Sequence, residues 1–86
     1  MDWNKAIEEF KIYLSIERNL SNNTVEAYIR DIKLLSNFLK NKKPVNVIRK
    51  DVINFINHVN KENKSSRTQA RILSSIKSFY NYLIFD

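Results

Sequence analysis

The 86-residue sequence contains no cysteine and no glycine, and it has one proline and one histidine. Without cysteine the chain can form neither a disulfide nor a thiolate metal site, which favours a reducing, cytoplasmic setting. The missing glycine disfavours strands joined by tight turns, since such turns usually require it. No stretch approaches the roughly eighteen apolar residues of a membrane span, and the N-terminus lacks the features of a signal peptide. We therefore expect an all-α protein that is neither secreted nor membrane-inserted and that holds no metal or cofactor.

The composition is that of a chain that folds by itself. It is 43% hydrophobic and 12% aromatic, far from the polar composition that keeps a chain disordered. A chain of this length can bury about 60–65% of its unfolded surface around a single core. We therefore expect residues 1–86 to form one domain.

Apolar residues recur at helical spacing in four segments, which predicts a compact four-helix bundle. In the first segment Trp3, Ile7, Phe10 and Leu14 fall on one helical face. The predicted helices run from Asp2 to about Glu17, from Ser21 to about Leu39, from Arg49 to about Glu62 and from Ser66 to about Ile84.

Polar residues mark the starts of two of these helices. Ser21 can accept a hydrogen bond from the first unpaired amides of the second helix. Ser66, with Gln69 three residues later, forms a capping-box pattern at the start of the fourth. The third helix has no such residue immediately before Arg49, so the sequence does not identify its capping residue.

The net charge of +6 is distributed unevenly along the chain. Residues 1–20 carry a net charge of −1, whereas residues 21–43 and 63–86 each carry +3. No acidic residue lies between Glu62 and Asp86. A polyanionic partner such as nucleic acid explains this asymmetry, although charge alone also permits a merely soluble basic surface.

The fourth predicted helix has one polar and one apolar side. The polar side carries arginine, serine and asparagine without any acid, whereas an ordinary solvated face is rich in Glu and Lys. Short hydroxyl side chains let a helix approach phosphates, and arginine binds phosphate oxygens or a guanine edge, which predicts a helix in a DNA major groove. A neutral solvated face is the competing interpretation. The polar side comprises Arg67, Arg71, Ser74, Ser78 and Asn81, and the apolar side Gln69, Ile72, Leu73, Ile76, Phe79, Tyr80 and Leu83.

The start of the second helix offers a smaller surface of the same kind. Asn22, Asn23 and Thr24 lie beside unpaired helix amides, and Arg30 and Lys33 follow further along. Helix N-termini attract phosphate even without side chains. The alternative is that these polar residues only cap the helix.

The same residues carry a resemblance to a known family. The run Leu20-Ser21-Asn22-Asn23-Thr24, followed by Ala27-Tyr28 and Asp31-Ile32, resembles the start of the second helix in a particular SAM-like domain. This is the N-terminal core-binding domain of Xer-type tyrosine recombinases and phage integrases. A second set of residues resembles the fourth helix of that domain: Thr68, Arg71, Leu73-Ser74, Ile76-Lys77-Ser78-Phe79-Tyr80 and Tyr82-Leu83.

In that family the domain forms one arm of a clamp around duplex DNA and uses its second and fourth helices. The resemblance therefore implies a DNA-binding domain that acts in DNA integration or site-specific recombination. Lys77 occupies a position where the family commonly has arginine. A two-point contact made by arginine there would be replaced by the single ammonium charge of lysine. We expect Arg71→Ala to weaken DNA binding by about 1–2 kcal/mol with little loss of folding. Together with the polar side of the fourth helix, the candidate DNA-binding residues are Asn23, Thr24, Tyr28, Arg30, Arg67, Thr68, Arg71, Ser74, Ser75, Lys77 and Ser78.

The resemblance also implies partners and the absence of catalysis by this chain. Strand exchange in the family depends on a separate C-terminal domain with a nucleophilic tyrosine, which we expect to lie outside the 86 residues. The implied partners are double-stranded DNA, that catalytic domain and other recombinase protomers on DNA, and the domain alone is expected to be monomeric. Tyr80 is predicted to lie in the core and Tyr82 at its edge, so neither is a nucleophile. His58 is predicted to be a surface residue, since no cysteine or carboxylate cluster accompanies it.

Two other functions remain open. A helical protein-interaction module would dock an acidic partner on the basic surface, or use exposed apolar residues such as Leu34 and Phe38. A small helix-turn-helix repressor is disfavoured, because no dimerising element follows the third and fourth helices.

Overall fold

The computed structural model describes residues 2–62 and 65–85, and it places the secondary structure of those residues in helices. The radius of gyration is 12.4 Å, close to the roughly 12 Å expected of a compact domain of this length. The predicted all-α, four-helix architecture is confirmed. The helices are α1 (Trp3–Ile12), α2 (Asn22–Phe38), α3 (Arg49–Lys61) and α4 (Ser66–Phe85), with a π-helical turn at Tyr13–Glu17 and a 3-10 turn at Pro44–Asn46.

α1 begins where the sequence predicts and changes its pitch before it ends. The Asp2 side chain caps it by accepting a hydrogen bond from the Lys5 amide at 2.8 Å. After Ile12 the chain continues as the π-helical turn, and Asn19 then adopts the left-handed conformation with φ 50°. Asparagine tolerates this region better than most residues, so it can end the helix in a chain without glycine.

One apolar core fills the space between the helices. α2 packs most extensively against α4, α1 lies against α2, and α3 lies against α4. The predicted stripe of α1 is confirmed, with Trp3 half-buried at its edge. The buried apolar residues are Ala6, Ile7, Phe10, Leu14, Val25, Ile29, Ile32, Leu35, Phe55, Val59, Ile72, Ile76 and Phe79.

The connector between α2 and α3 is held by hydrogen bonds from distant aromatic residues. The indole N–H of Trp3 donates to the carbonyl of Lys42 at 2.7 Å. The hydroxyl of Tyr80 donates to the carbonyl of Pro44 at 2.8 Å. Both carbonyls belong to a segment with little regular structure, so these bonds fix its path over the core.

The cap of α3, which the sequence left open, comes from inside the helix. The Asp51 carboxylate accepts the Ile48 amide at 3.0 Å and the Lys42 ammonium at 2.7 Å. These two hydrogen bonds, that from Lys42 first, lower the pKa of Asp51 below its usual value. An acid in the first turn thus substitutes for a polar residue before the helix.

Two expectations for α4 are wrong in detail. Its cap is Ser65 and not Ser66, because Ser65 Oγ accepts the Thr68 amide at 3.1 Å. Leu73, predicted to face the core, is 39% exposed. The buried side of the helix is centred on Ile72 and Phe79, which lie about 100° or more around the helix from Leu73. The predicted turn residues Asn63 and Lys64 lie outside the described part of the chain.

The cap of α4 gives a test with a neighbouring control. Ser65→Ala is expected to lower the free energy of unfolding by about 1 kcal/mol, because the Thr68 amide loses its partner. Ser66→Ala, one position later, should change it by less than about 0.5 kcal/mol. Urea unfolding of both variants measures the difference, and an equal effect of the two would refute Ser65 as the cap.

None of the helices in the described residues has the length and apolar character to cross a membrane.

Candidate nucleic-acid interface

α2 and α4 begin with the same local arrangement of serine and threonine. In α2, Ser21 Oγ accepts the Thr24 amide at 3.3 Å and donates to the Thr24 hydroxyl at 3.0 Å. In α4, Ser65 Oγ accepts the Thr68 amide at 3.1 Å and donates to the Thr68 hydroxyl at 3.0 Å. Each threonine hydroxyl is thus an acceptor in this bond, and its own hydrogen is directed elsewhere. Both helices present a hydroxyl donor at a positively polarised N-terminus, where anions bind favourably.

The outer face of α4 is basic and hydroxyl-rich. Arg67, Ser74 and Lys77 are exposed, and Thr68 and Ser78 are half-buried. Lys77 lies about 120° around the helix from Arg71, so it borders this face rather than continuing its line. No acidic residue occurs between positions 65 and 85. The outward placement that helical spacing predicted is confirmed for Arg67, Ser74 and Asn81, which are exposed, whereas Ser78 is half-buried.

α2 and α4 are joined by a buried network that the sequence did not reveal. Arg71 Nε donates to Asp31 Oδ2 at 3.0 Å, and one of its Nη atoms donates to Asp31 Oδ1 at 2.9 Å. The Ser75 hydroxyl donates to Asp31 Oδ2 at 2.7 Å. Asp31 is 0% exposed, whereas the Arg71 side chain is 38% exposed. Its hydrogen bonds to Asp31 raise the pKa of Arg71 above its usual value.

This network changes two expectations about α4. Ser75 is fully buried and bonded to Asp31, so it does not reach the surface as a DNA ligand. Arg71 is a structural residue as well as a surface residue. We therefore expect its loss to destabilise the fold, because Asp31 would be left as a buried charge without its counterion.

A periodicity argument could have found this network. Asp31 lies between the core residues Ile29 and Ile32, and Ser75 lies between Ile72 and Ile76. A carboxylate at the edge of an apolar stripe needs a partner, and α4 is the most arginine-rich of the neighbouring predicted helices.

The pairing of Asp31 with Arg71 brings parts of the two predicted surfaces together. Thr24 lies about two helical turns before Asp31 and at nearly the same angle around α2. It therefore shares with Arg71 and Arg67 the side of the bundle where α2 meets α4. Asn23 is exposed beside it. We call the surface formed by Asn23, Thr24, Arg67, Thr68, Arg71, Ser74 and Ser78 the α2–α4 face.

Two candidate residues of α2 lie elsewhere. Arg30 lines a groove with Lys11, Glu26 and Lys33, on the side of α2 that faces α1. Tyr28 is half-buried and packs against the core. The structure therefore does not join these two residues to the α2–α4 face.

Tyr80 and His58, the residues that could suggest catalysis, make contacts that are typical of structural roles. Burial raises the pKa of the Tyr80 phenol, whose hydroxyl is bonded to a backbone carbonyl. His58 is exposed as predicted, with Nε2 3.5 Å from Glu62 and its ring 5.0 Å from that of Phe38. No cluster of three metal-ligating side chains occurs within the described ranges.

The apolar residues of the protein-interaction alternative are partly covered. Leu34 is half-buried against the core. Phe38 is 38% exposed, and its ring lies 5.5 Å from that of Phe55 and close to His58. They line a groove between α2 and α3. Phe38 lies about two helical turns after Asp31 along α2, so this groove is at the opposite end of α2 from Thr24.

An all-helical bundle with a basic, acid-free helix beside a polar helix start has the form of a nucleic-acid-binding module. Comparison with known families makes the class specific. Residues 7–85 match the family described as phage integrase, N-terminal SAM-like domain. The chain belongs to this family.

Curated relatives are tyrosine recombinases. Tyrosine recombinase XerD of Listeria monocytogenes serotype 4b is 37% identical over 87 residues, which cover 96% of this chain and 29% of the relative. XerD of Staphylococcus epidermidis is 34% identical, covering 94% of this chain and 28% of the relative. XerC of Herpetosiphon aurantiacus is 35% identical, covering 92% and 27%. No solved structure matches the chain.

The chain spans less than a third of the length of these relatives. The matching part is their N-terminal SAM-like domain, so the 86 residues do not include the recombinase's catalytic domain.

Proposed function

We propose that this domain binds duplex DNA through the α2–α4 face, as the N-terminal arm of a tyrosine recombinase in site-specific recombination or integration. The observation that carries the proposal is the outer face of α4, which presents exposed and half-buried basic and hydroxyl side chains without an acid. Such a face can approach a phosphate backbone closely without repulsion.

The neighbouring α2 start supports the same site. Asn23 is exposed and the Thr24 hydroxyl has a hydrogen to donate, next to the amides of a helix N-terminus. Side chains and amides of this kind make many of the phosphate contacts in protein–DNA complexes. The remaining recombinase domain and further protomers on the same DNA are the partners that this role requires.

Alanine substitution of Arg67 tests the site against a matched control. Arg67→Ala is expected to weaken binding to a short labelled duplex by about 1–2 kcal/mol and to reduce the salt dependence by about one phosphate contact. Lys5→Ala removes the same charge from an exposed position of α1, a helix that contributes no residue to the α2–α4 face, and should weaken binding much less.

Fluorescence anisotropy at about 50 mM and about 200 mM salt measures both quantities, since counterion release makes affinity depend on salt. Equal losses in Arg67→Ala and Lys5→Ala would mean that only net charge matters, and the α2–α4 face would not be the binding site. Binding abolished by Phe38→Ala, with both of the other variants unaffected, would favour the groove between α2 and α3.

A further inference from the structure

We propose that Arg71 reads the edge of a guanine base and that Asp31 is the positioning residue that orients its guanidinium for this contact. The inference rests on the proposed function, because it names what one side chain of the α2–α4 face recognises. It separates Arg71 from Arg67, the other basic residue of that face, and from Lys77 at its border, both of which we assign to phosphates.

The hydrogen bonds of Arg71 use one side of its guanidinium. The group carries five N–H donors, and Asp31 accepts from Nε and one Nη at 3.0 and 2.9 Å. Three donors remain, and two of them form the outer edge between the two Nη atoms. An arginine edge of two donors matches the N7 and O6 acceptors of guanine in the major groove.

Burial determines which edge is presented to solvent. Asp31 is 0% exposed and Arg71 is 38% exposed. The side of the guanidinium that faces Asp31 is therefore inside the bundle, and the outer edge is the part available to a partner. Exposed Arg67 and Ser74 lie one helical turn to either side of Arg71, so a DNA groove that contacts them also contacts this edge.

Charge distinguishes a base contact from a phosphate contact. The Asp31 carboxylate compensates the charge of Arg71, so Arg71 adds little to the sequence-independent attraction of phosphates. Its directional hydrogen bonds are unaffected by this compensation. Arg67 and Lys77 have no carboxylate hydrogen-bonded to them within the described residues and suit phosphates better.

Ser75 makes the arrangement rigid. Its buried hydroxyl donates to Asp31 at 2.7 Å, which fixes the carboxylate, and the two-point pair in turn fixes the arginine. A guanidinium that is already held in one orientation loses little conformational entropy on binding, which favours discrimination between bases.

The experiment begins with selection of short duplexes with a randomised centre by the 86-residue chain. We expect enrichment of a guanine at one position. In the selected duplex that guanine is then replaced by 7-deazaguanine, which pairs normally but lacks the N7 acceptor. Wild-type affinity should fall about tenfold, as for loss of one base-edge contact.

Asp31→Asn tests the positioning role. The variant removes one negative charge and so raises the net charge of +6 by one, which should strengthen only the sequence-independent attraction of phosphates. It should nevertheless bind the guanine and 7-deazaguanine duplexes equally. A merely structural role would lower both affinities together. Ser75→Ala, which loosens Asp31 with a smaller effect on folding, should reduce the discrimination in the same direction, and thermal melting establishes that each variant is folded.

Three results overturn the inference. Wild type that selects no guanine, or binds both duplexes equally, shows that Arg71 does not read N7, while the proposed DNA-binding function stands. A folded Asp31→Asn variant with undiminished discrimination shows that Asp31 does not orient the contact. Failure of the wild type to bind any duplex refutes the proposed function itself, and this inference with it.

Discussion

Phe79→Ala is expected to lower the free energy of unfolding by about 3–5 kcal/mol, since it removes a large, fully buried side chain from a closed core. Phe79 is 0% exposed. Its ring meets Phe10 edge-on at 5.3 Å and stacks on Trp3 at 6.1 Å. The cavity left behind would therefore open between α1 and α4.

The loss expected for Phe79→Ala is large compared with the total stability of the domain. A domain of this length has a total stability of about 4–13 kcal/mol, so Phe79→Ala is expected to leave a substantial unfolded fraction. Phe38→Ala is the matched control, because Phe38 is 38% exposed and the same truncation should lower stability by only about 1 kcal/mol. Urea unfolding followed by circular dichroism compares the two. Similar losses in both variants would contradict the placement of the core.

Arg71→Ala is expected to lower the free energy of unfolding by about 2–3 kcal/mol, because it leaves Asp31 as a buried carboxylate without its counterion. The estimate lies below the range for fully buried pairs, since water reaches the 38% exposed Arg71 side chain. Arg67→Ala, four residues earlier on the exposed side of the same helix, should change stability by less than about 0.5 kcal/mol.

A double-mutant cycle isolates the interaction between Asp31 and Arg71. In the Asp31→Asn background no buried charge remains, so Arg71→Ala should destabilise the domain much less than it does in the wild type. Chemical denaturation of the four proteins gives the coupling free energy. An additive result, with no coupling, would show that the hydrogen bonds between Asp31 and Arg71 contribute nothing to folding.

The helices and the core of α1 could be predicted from periodicity, because buried positions impose a regular spacing on apolar residues. The cap of α4 could not be assigned securely. Ser65 and Ser66 are adjacent, either can cap a helix, and only Ser65 has its hydroxyl at the amide of Thr68. Leu73 was assigned to the core because it falls within the apolar arc of the helix, whereas the buried side of α4 is centred on Ile72 and Phe79.

The candidate interface was predictable where it depends on side chains that point to solvent. Arg67 and Ser74 are exposed, as composition and spacing indicated, and so is Lys77, which the family resemblance implied. The roles of Arg71 and Ser75 depend on a contact with Asp31, 40 and 44 positions away in sequence. Helical periodicity describes one helix at a time, so it identifies a residue's face but not which residue of another helix meets it.

The most direct test of the α2–α4 face as a DNA-binding surface is an amide chemical-shift titration of the domain with a short duplex. The spectrum is recorded at about 50 mM salt and again near 200 mM, to detect the weakening that counterion release causes. We predict salt-sensitive shifts in residues 22–31 and 65–78, with α1 and the groove between α2 and α3 unchanged. Shifts centred on Leu34 and Phe38, or no shifts at millimolar duplex, would contradict the assignment of the α2–α4 face as the DNA-binding surface.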